Sequence, residues 1–318
     1  MKRIGNIFQK IVSIENLELA DIIARKGKSG QYGIKMHDRN RKANIEKLHQ
    51  DILSGSFRTS QYVTFKVYEP KEREVYRLPY YPDRIVHHAI MNVLEPVFVA
   101  NFTADTYSCI KNRGIHAASR KVIAALRDQD NTKYCLKLDV KKFYPTINHD
   151  VLKAMLRRKF KDIQLLNLLD EIIDSADGLP IGNYLSQYFA NFYLSGLDHW
   201  LKEEKRIRYY FRYADDLVIL SGSKEQLHTL RLEIDQYLVS IKLQMKGNYQ
   251  VFPVANRGLD FVGYRFYHTH VLLRKSIKKN FARAIARRKN SKVIASYNGW
   301  AKHCNSGNLM KKLLNEKV

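Results

Sequence analysis

Ile207-Arg208-Tyr209-Tyr210-Phe211-Arg212-Tyr213-Ala214-Asp215-Asp216-Leu217-Val218-Ile219-Leu220-Ser221 reads as a β-hairpin: aromatic and β-branched residues run in, aliphatic residues run out. Between the arms sits Tyr213-Ala214-Asp215-Asp216, with two adjacent acids at the turn. Aspartate suits turns and is disfavoured in strands, so its position is ordinary. The pairing of two acids between apolar flanks is not. Like charges raise each other's pKa unless a positive group lies between them, and a divalent cation is one such group. Taken alone, the stretch fits a solvated hairpin tip and a metal site equally well.

The 318 residues carry 55 Lys and Arg against 31 Asp and Glu, a net charge of +24. Self-repulsion at that charge is unfavourable, so a polyanionic partner is the economical reading, nucleic acid first. An anionic membrane is the rival, but no apolar run of roughly 18 residues exists to span one. Met1 to Lys10 begins basic yet lacks the continuous apolar segment and cleavage site of a signal peptide, so a cytoplasmic location is expected. Cys109, Cys135 and Cys304 are far apart with no CxxC pair, which predicts reduced, partly buried thiols. The histidines show no metal-ligand spacing, and His87 and His88 read as packing or surface residues.

Residues 1–60 read as helical pieces joined by basic loops. Gly27-Lys28-Ser29 lacks the leading glycine of a phosphate loop, since Ile22 stands there. Strands are expected at 61–69 and 74–79 about a turn at Pro70-Lys71-Glu72. Their Lys66, Arg73 and Arg77 fit either a phosphate grip or charged edge protection. A helix starts after Pro82, with Asp83 placed to favour its N-terminus. A basic loop at 106–118 opens helix 116–128, and its Lys/Arg-Gly turn suits an anion. A strand at 133–140 ends in Asp139. One helix at 150–174, a glycine-punctuated stretch at 178–187, a helix to about Glu204, the hairpin and helix 224–240 follow. Short strands near 249–253 and 259–267 precede a basic amphipathic tail. There Arg274, Lys275, Lys278, Lys279, Arg283, Arg287 and Arg288 alternate with Ile277, Phe281, Ala284 and Ile285, and Glu316 is the only acid after Asp260. That uninterrupted sign predicts a surface that tracks a nucleic-acid backbone.

The strand order lets Asp139 lie beside the Asp215-Asp216 turn in one antiparallel sheet backed by helices. Three carboxylates there would hold two Mg²⁺ ions, about 3.5–4 Å apart, for in-line phosphoryl transfer. Attack of a primer 3′-hydroxyl on a nucleotide α-phosphate suits so basic a chain.

Leu138-Asp139-Val140-Lys141-Lys142-Phe143-Tyr144 resembles the first palm motif of reverse transcriptases, Tyr213-Ala214-Asp215-Asp216 their YxDD box, and Leu259-Asp260-Phe261-Val262-Gly263-Tyr264 their primer-grip region. The resemblance runs in order from about residue 60 onward. It implies an α+β right-hand polymerase, with a palm whose antiparallel sheet is backed by helices and a helical thumb. The implied division is an N-terminal helical and basic segment over 1–60, fingers over 61–132, palm over 133–258, and primer grip with basic helical thumb over 259–318. It also implies roles. Asp139 and Asp215 bind both metals, Asp216 assists, and the Val140 carbonyl is a further ligand. Tyr144 is the steric gate against a 2′-hydroxyl, unless it is simply a core aromatic. Lys111 and Arg113 contact the triphosphate, and Lys246 is placed to protonate pyrophosphate.

Most bacterial reverse transcriptases carry Gln-Gly-x-x-x-Ser-Pro where this chain has Ile181-Gly182-Asn183-Tyr184-Leu185-Ser186-Gln187. The altered ends, and Ser296-Tyr297-Asn298-Gly299-Trp300-Ala301-Lys302-His303, resemble the enzymes of diversity-generating retroelements. Ile181 cannot hydrogen-bond near the incoming sugar as glutamine does, which loosens base-pair selection. That resemblance implies error-prone copying of a template RNA at adenines, mutagenic retrohoming of the cDNA into a target gene, and a bacterial or phage source. It further implies dNTPs, an RNA/DNA hybrid and a small basic helical, oligomeric accessory protein as partners. No ribonuclease H, integrase, protease or HNH segment is expected. The alternatives are a retron or abortive-infection type reverse transcriptase, and a non-catalytic RNA-binding protein on a decayed polymerase fold. Intact Asp139, Asp215 and Asp216 argue against the last.

Overall fold

The computed structural model describes residues 3–68, 72–287 and 290–315. Four helices open the chain: α1 (Phe8–Val12), α2 (Ile14–Ala24), α3 (Tyr32–Asp38) and α4 (Arg41–Leu53). Strands β1 (Val63–Val67) and β2 (Arg73–Arg77) form a hairpin. Next come α5 (Ile85–Asn101), β3 (Thr106–Tyr107), α6 (Ile115–Ala125) and β4 (Tyr134–Asp139). Helices α7 (Phe143–Thr146), α8 (His149–Lys159), α9 (Ile163–Ile173) and α10 (Tyr184–His199) precede the hairpin of β5 (Tyr209–Tyr213) and β6 (Asp216–Ser221). The chain continues through α11 (Lys224–Ser240), β7 (Gln250–Pro253), α12 (Val254–Arg257), β8 (Leu259–Phe261), β9 (Tyr264–Phe266) and β10 (Val271–Leu273). It ends in α13 (Lys275–Ala286), α14 (Ser291–Ala301) and α15 (Gly307–Asn315). No helix among the described residues is long and apolar enough to cross a membrane. This is the expected α+β class.

Two compact units are assembled from interleaved stretches. The first comprises Met1–Thr103, Lys141–Gly196 and Leu238–Gln244. Its core gathers aromatic side chains around Phe98, whose ring lies 5.3–6.5 Å from those of Phe102, Phe160, Tyr188, Phe189 and Phe192. Three- and four-residue apolar spacing on α9 buries Leu165, Leu168, Leu169, Ile172 and Ile173 on one face.

The single helix expected over 150–174 is two. Phe160 leaves α8 in extended conformation and bridges Ile4, while the Asp162 carboxylate accepts the amides of Asn6, Ile7 and Phe8. These tertiary partners outcompete helix continuation. Asp83 does not cap α5 either: it is buried, and its Oδ1 accepts the Ser60 amide at 2.9 Å. His87 is buried in α5, and His88 stacks on Tyr184 at 4.6 Å, so both pack.

The second unit comprises Ala104–Val140, Leu197–Tyr237 and Met245–Val318. A five-stranded sheet of order β3-β5-β6-β4-β7 is its spine. All pairings are antiparallel except β3 with β5, which run parallel over Thr106↔Arg212 and Tyr107↔Tyr213, so the sheet is not purely antiparallel. One face buries Cys135, Phe211, Val218, Leu220 and Phe252 in a core shared with α6 and a small sheet of order β10-β9-β8. The strand expected over 259–267 is a hairpin instead. Val262 and Gly263 both take positive φ, 41° and 86°, as a two-residue hairpin turn of the favoured hand demands. A Cβ on Gly263 would sit 2.3 Å from the Trp300 ring, so glycine is required twice over. The cysteines are free: Cys135 is buried, Cys304 half-buried and Cys109 exposed, the last against expectation.

Candidate active site

Register places the acids. Asp139, the last residue of β4, pairs directly with Asp216, the first of β6. Because side chains alternate along strands, the two carboxylates share a face. Tyr213 pairs with Asp216, leaving Ala214 and Asp215 as a two-residue turn in which Ala214 takes a left-handed φ of 54°. The turn brings Asp215 against Asp139. Burial, a hydrogen bond shared with Asp139 and that neighbour's charge push the Asp215 carboxyl up to about 7. Burial likewise pushes Asp216 up to about 6, partly offset by Lys137.

Two lysines neutralise this cluster. Lys246 Nζ lies 3.3 Å from Asp139 Oδ2, and its amide donates to the Asp139 carbonyl at 2.9 Å. Lys137 Nζ lies 3.2 Å from Asp216 Oδ2 and donates to the Asp260 carbonyl at 2.5 Å. Lys137 was missed from sequence, although strand alternation puts it on the face of Asp139. Asp216 Oδ1 is buried with no hydrogen-bond partner.

Among the described residues no three His, Cys, Asp or Glu side chains are grouped so that they could hold a metal ion. The structure brings Asp139 and Asp215 together and sets Asp216 against Lys137. Two mutually repelling carboxylates, an orphaned carboxylate oxygen and the backbone at Val140 are all hard oxygen donors, the set a divalent cation of the Mg²⁺ type takes. Val140 itself is buried and bridges Met245. Lys111 and Arg113 occupy the loop that leaves β3, the strand beside Tyr213.

The first unit holds the other predicted residues. Tyr144 is half-buried in α7 with its ring 5.6 Å from that of Phe143. Its carbonyl accepts the Leu179 amide at 2.9 Å, and Gly178 packs so tightly that a Cβ would lie 2.5 Å from the same oxygen. The Ile181 carbonyl accepts the Tyr76 amide at 2.8 Å, docking the loop on β2. Gly182 has φ +123°, and a Cβ there would lie 2.3 Å from the Tyr76 carbonyl oxygen. Gly182 and Gln187 line a cavity of about 420 Å³ with Lys28, Arg77, Arg84 and His88. Burial, with Lys28 and Arg84, pushes His88 down to about 4. Burial and the nearby Arg77 also lower Arg84. Lys28, Arg77 and Arg84 thus line one concave site, an arrangement suited to an anionic ligand. Sequence reading missed Lys28 and Arg84 here, because nothing local links a basic loop, a hairpin and a helix start.

On α13, Phe281, Ala284 and Ile285 are buried, while Lys275, Lys278, Lys279, Arg283 and Arg287 are exposed. Arg274 differs: its Nη2 lies 2.5 Å from Asp260 Oδ1. Arg288 lies outside the described residues.

A sequence profile described as "Reverse transcriptase (RNA-dependent DNA polymerase)" matches residues 69–266. Protein YkfC of Escherichia coli K12 is 26% identical over 270 residues, 70% of each chain. The retron Ec73 reverse transcriptase of Escherichia coli is 28% identical over 191 residues, 54% of this chain and 58% of that one. The group II intron-encoded protein LtrA of Lactococcus lactis is 22% identical over 298 residues, 69% of this chain and 49% of that one. The chain therefore spans about half the length of the latter two. Telomerase from Candida tropicalis, solved with a fragment of telomeric RNA, is similar in fold. Its TM-score is 0.51 at 10% identity, covering 76% of this chain and 52% of that one. The fold is consistent with the right-hand polymerase architecture.

Proposed function

The chain belongs to the reverse transcriptase (RNA-dependent DNA polymerase) family, and we propose that it extends a primer 3′-hydroxyl with deoxynucleotides on an RNA template. One observation carries this reading: Asp139 paired with Asp216 across a ladder, with Asp215 turned against Asp139. Asp139 and Asp215, assisted by Asp216 and the Val140 carbonyl, would hold two Mg²⁺ ions, which supply Lewis-acid activation of the hydroxyl and charge stabilisation at the α-phosphate. Lys246 carries a proton beside Asp139 that a departing pyrophosphate can accept. Lys111 and Arg113 bind the triphosphate electrostatically. The Tyr144 ring underlies the sugar and excludes a 2′-hydroxyl. Gly182 and Gln187, with Lys28, Arg77 and Arg84, bind the nucleotide and its templating partner through the basic cavity. Lys275, Lys278, Lys279, Arg283 and Arg287 track the RNA/DNA hybrid. The linear division into fingers over 61–132, palm over 133–258 and thumb from 259 goes with this assignment. Primer extension with Mg²⁺ tests the reading; full activity in Asp215→Ala would remove the catalytic assignment.

Within the family, Ile181 and Gln187 support a diversity-generating retroelement enzyme that copies a template-repeat RNA with errors at adenines and feeds mutagenic retrohoming. A small basic helical, oligomeric accessory protein and the structured template RNA would be its partners. Sequencing the cDNA tests this: substitutions should concentrate opposite template adenines, and equal fidelity at all four bases would remove the subtype. The similarity to a retron enzyme supports a second reading, in which the product is defence DNA. Covalently branched RNA–DNA bound to the purified protein would favour that one.

A further inference from the structure

Arg212 is the only Lys or Arg that is fully buried among the described residues. Burying a guanidinium is unfavourable unless every donor is matched, and a well-packed apolar residue would usually serve stability as well or better. Arg212 is matched with care. Its Nε donates to Asp198 Oδ1 at 2.7 Å and its Nη2 to Asp198 Oδ2 at 2.5 Å. Asp198, equally buried, also accepts Tyr210 Oη at 2.6 Å and Thr106 Oγ1 at 2.8 Å. The carboxylate is thus gripped from β5 twice and from β3 once.

The remaining arm of the guanidinium does something an apolar residue cannot. Nη1 reaches past Tyr213 and donates to the Ala214 carbonyl at 2.9 Å. Ala214 is the turn residue with φ 54°, a region that disfavours side chains with a Cβ. Glycine would adopt it more readily but would leave the turn loose. The carbonyl that Arg212 holds belongs to the peptide leading directly into Asp215.

We propose that Arg212, clamped by Asp198, is a positioning residue. It locks the Ala214–Asp215 turn in the backbone geometry that presents the Asp215 carboxylate to Asp139. The structural part stands on the hydrogen bonds alone; its consequence for catalysis rests on the polymerase reading above.

The double variant Arg212→Met/Asp198→Asn removes both charges and leaves no buried ion unpaired. In the folded variant, hydrogen exchange over residues 213–217 should quicken at least ten-fold, while Leu136, Leu138 and Ile219 stay protected. Mn²⁺ affinity, read by electron paramagnetic resonance, should fall at least ten-fold. In primer extension kcat should drop at least ten-fold, with KM for the nucleotide moving less than three-fold. A residue that merely stabilised the fold would lower Tm without altering exchange at the turn or Mn²⁺ affinity in folded protein. A folded variant with wild-type exchange at 213–217 and wild-type Mn²⁺ affinity overturns the proposal. Should the double variant fail to fold, Arg212→Lys is read the same way, since one ammonium cannot bridge the carboxylate and also reach Ala214. Wild-type protein that extends no primer refutes the polymerase reading, and the exchange measurement then still decides this one.

Discussion

Asp215 occupies a position that folding alone would not choose: a half-buried carboxylate against another, with its neighbour's Oδ1 unpartnered. Asp215→Asn should therefore raise the Tm of metal-free protein by about 1–2 °C, as roughly 1 kcal/mol does in a chain of this size. The same variant should lose more than about 100-fold in primer extension and lose the Tm increase that Mg²⁺ gives the wild type. Calorimetry with and without Mg²⁺ reads both. Tyr144→Val should lower discrimination against ribonucleotides at least ten-fold in single-nucleotide insertion; unchanged selectivity would return Tyr144 to the role of a packing aromatic. Asp21 shows the opposite balance. Burial raises its pKa, but the His37 ring 3.5 Å away and hydrogen bonds from Tyr80, Arg25 and Arg41 outweigh that and hold it well below the usual carboxylate range. A depressed folded pKa contributes stability above the unfolded value near 4, lost as pH falls through the folded value. Asp21→Asn should destabilise the protein at pH 7 and flatten its acid limb, measurable by denaturant titration at pH 7 and pH 3.

At the scale of elements, the break between α8 and α9 shows how tertiary partners override helical periodicity. Apolar spacing continues through residues 150–174, but Asp162 accepts three amides that open α1. Backbone amides near a helix start are otherwise unmatched, so an acid from a distant segment does the work of a local cap. Asp162→Ala should cost about 1–2 kcal/mol in urea denaturation. The β5–β6 hairpin was legible, since aromatic and aliphatic runs flank an Asp-rich turn. The β8–β9 turn was not, because Val262 gives no sign that it adopts positive φ. Asp139 was legible as the acid at a strand end; Lys137, two residues earlier, was visible in the alternation but lacked a partner until the register was known.

Over the whole molecule the net charge is +24, and α13 exposes part of it along one helix through Lys275, Lys278, Lys279 and Arg283. Replacing Lys275, Lys278, Lys279 and Arg283 together by Gln should weaken hybrid binding. It should also reduce the slope of log K against log salt by roughly 0.7–0.9 for each phosphate no longer neutralised. Arg274→Gln should behave differently, lowering stability more than the salt slope, because its guanidinium is engaged by Asp260. Filter binding across salt concentrations separates the two.

Sequence alone determined the class of fold, the three acids and the basic face of α13. Each is written in short-range pattern: two-residue alternation, a turn between apolar runs, and helical spacing of like charges. Only the tertiary structure decided which residues distant in sequence meet within each unit. Lys137 against Asp216, the cavity joining Lys28, Arg77 and Arg84 to Gln187, and the Asp198 clamp on Arg212 join residues that no local period connects. The Tyr213-Ala214-Asp215-Asp216 turn could be read as a place for charge. That it is held from below by a buried guanidinium follows from strand pairing and burial, since those alone set the low dielectric in which Arg212 and Asp198 must match.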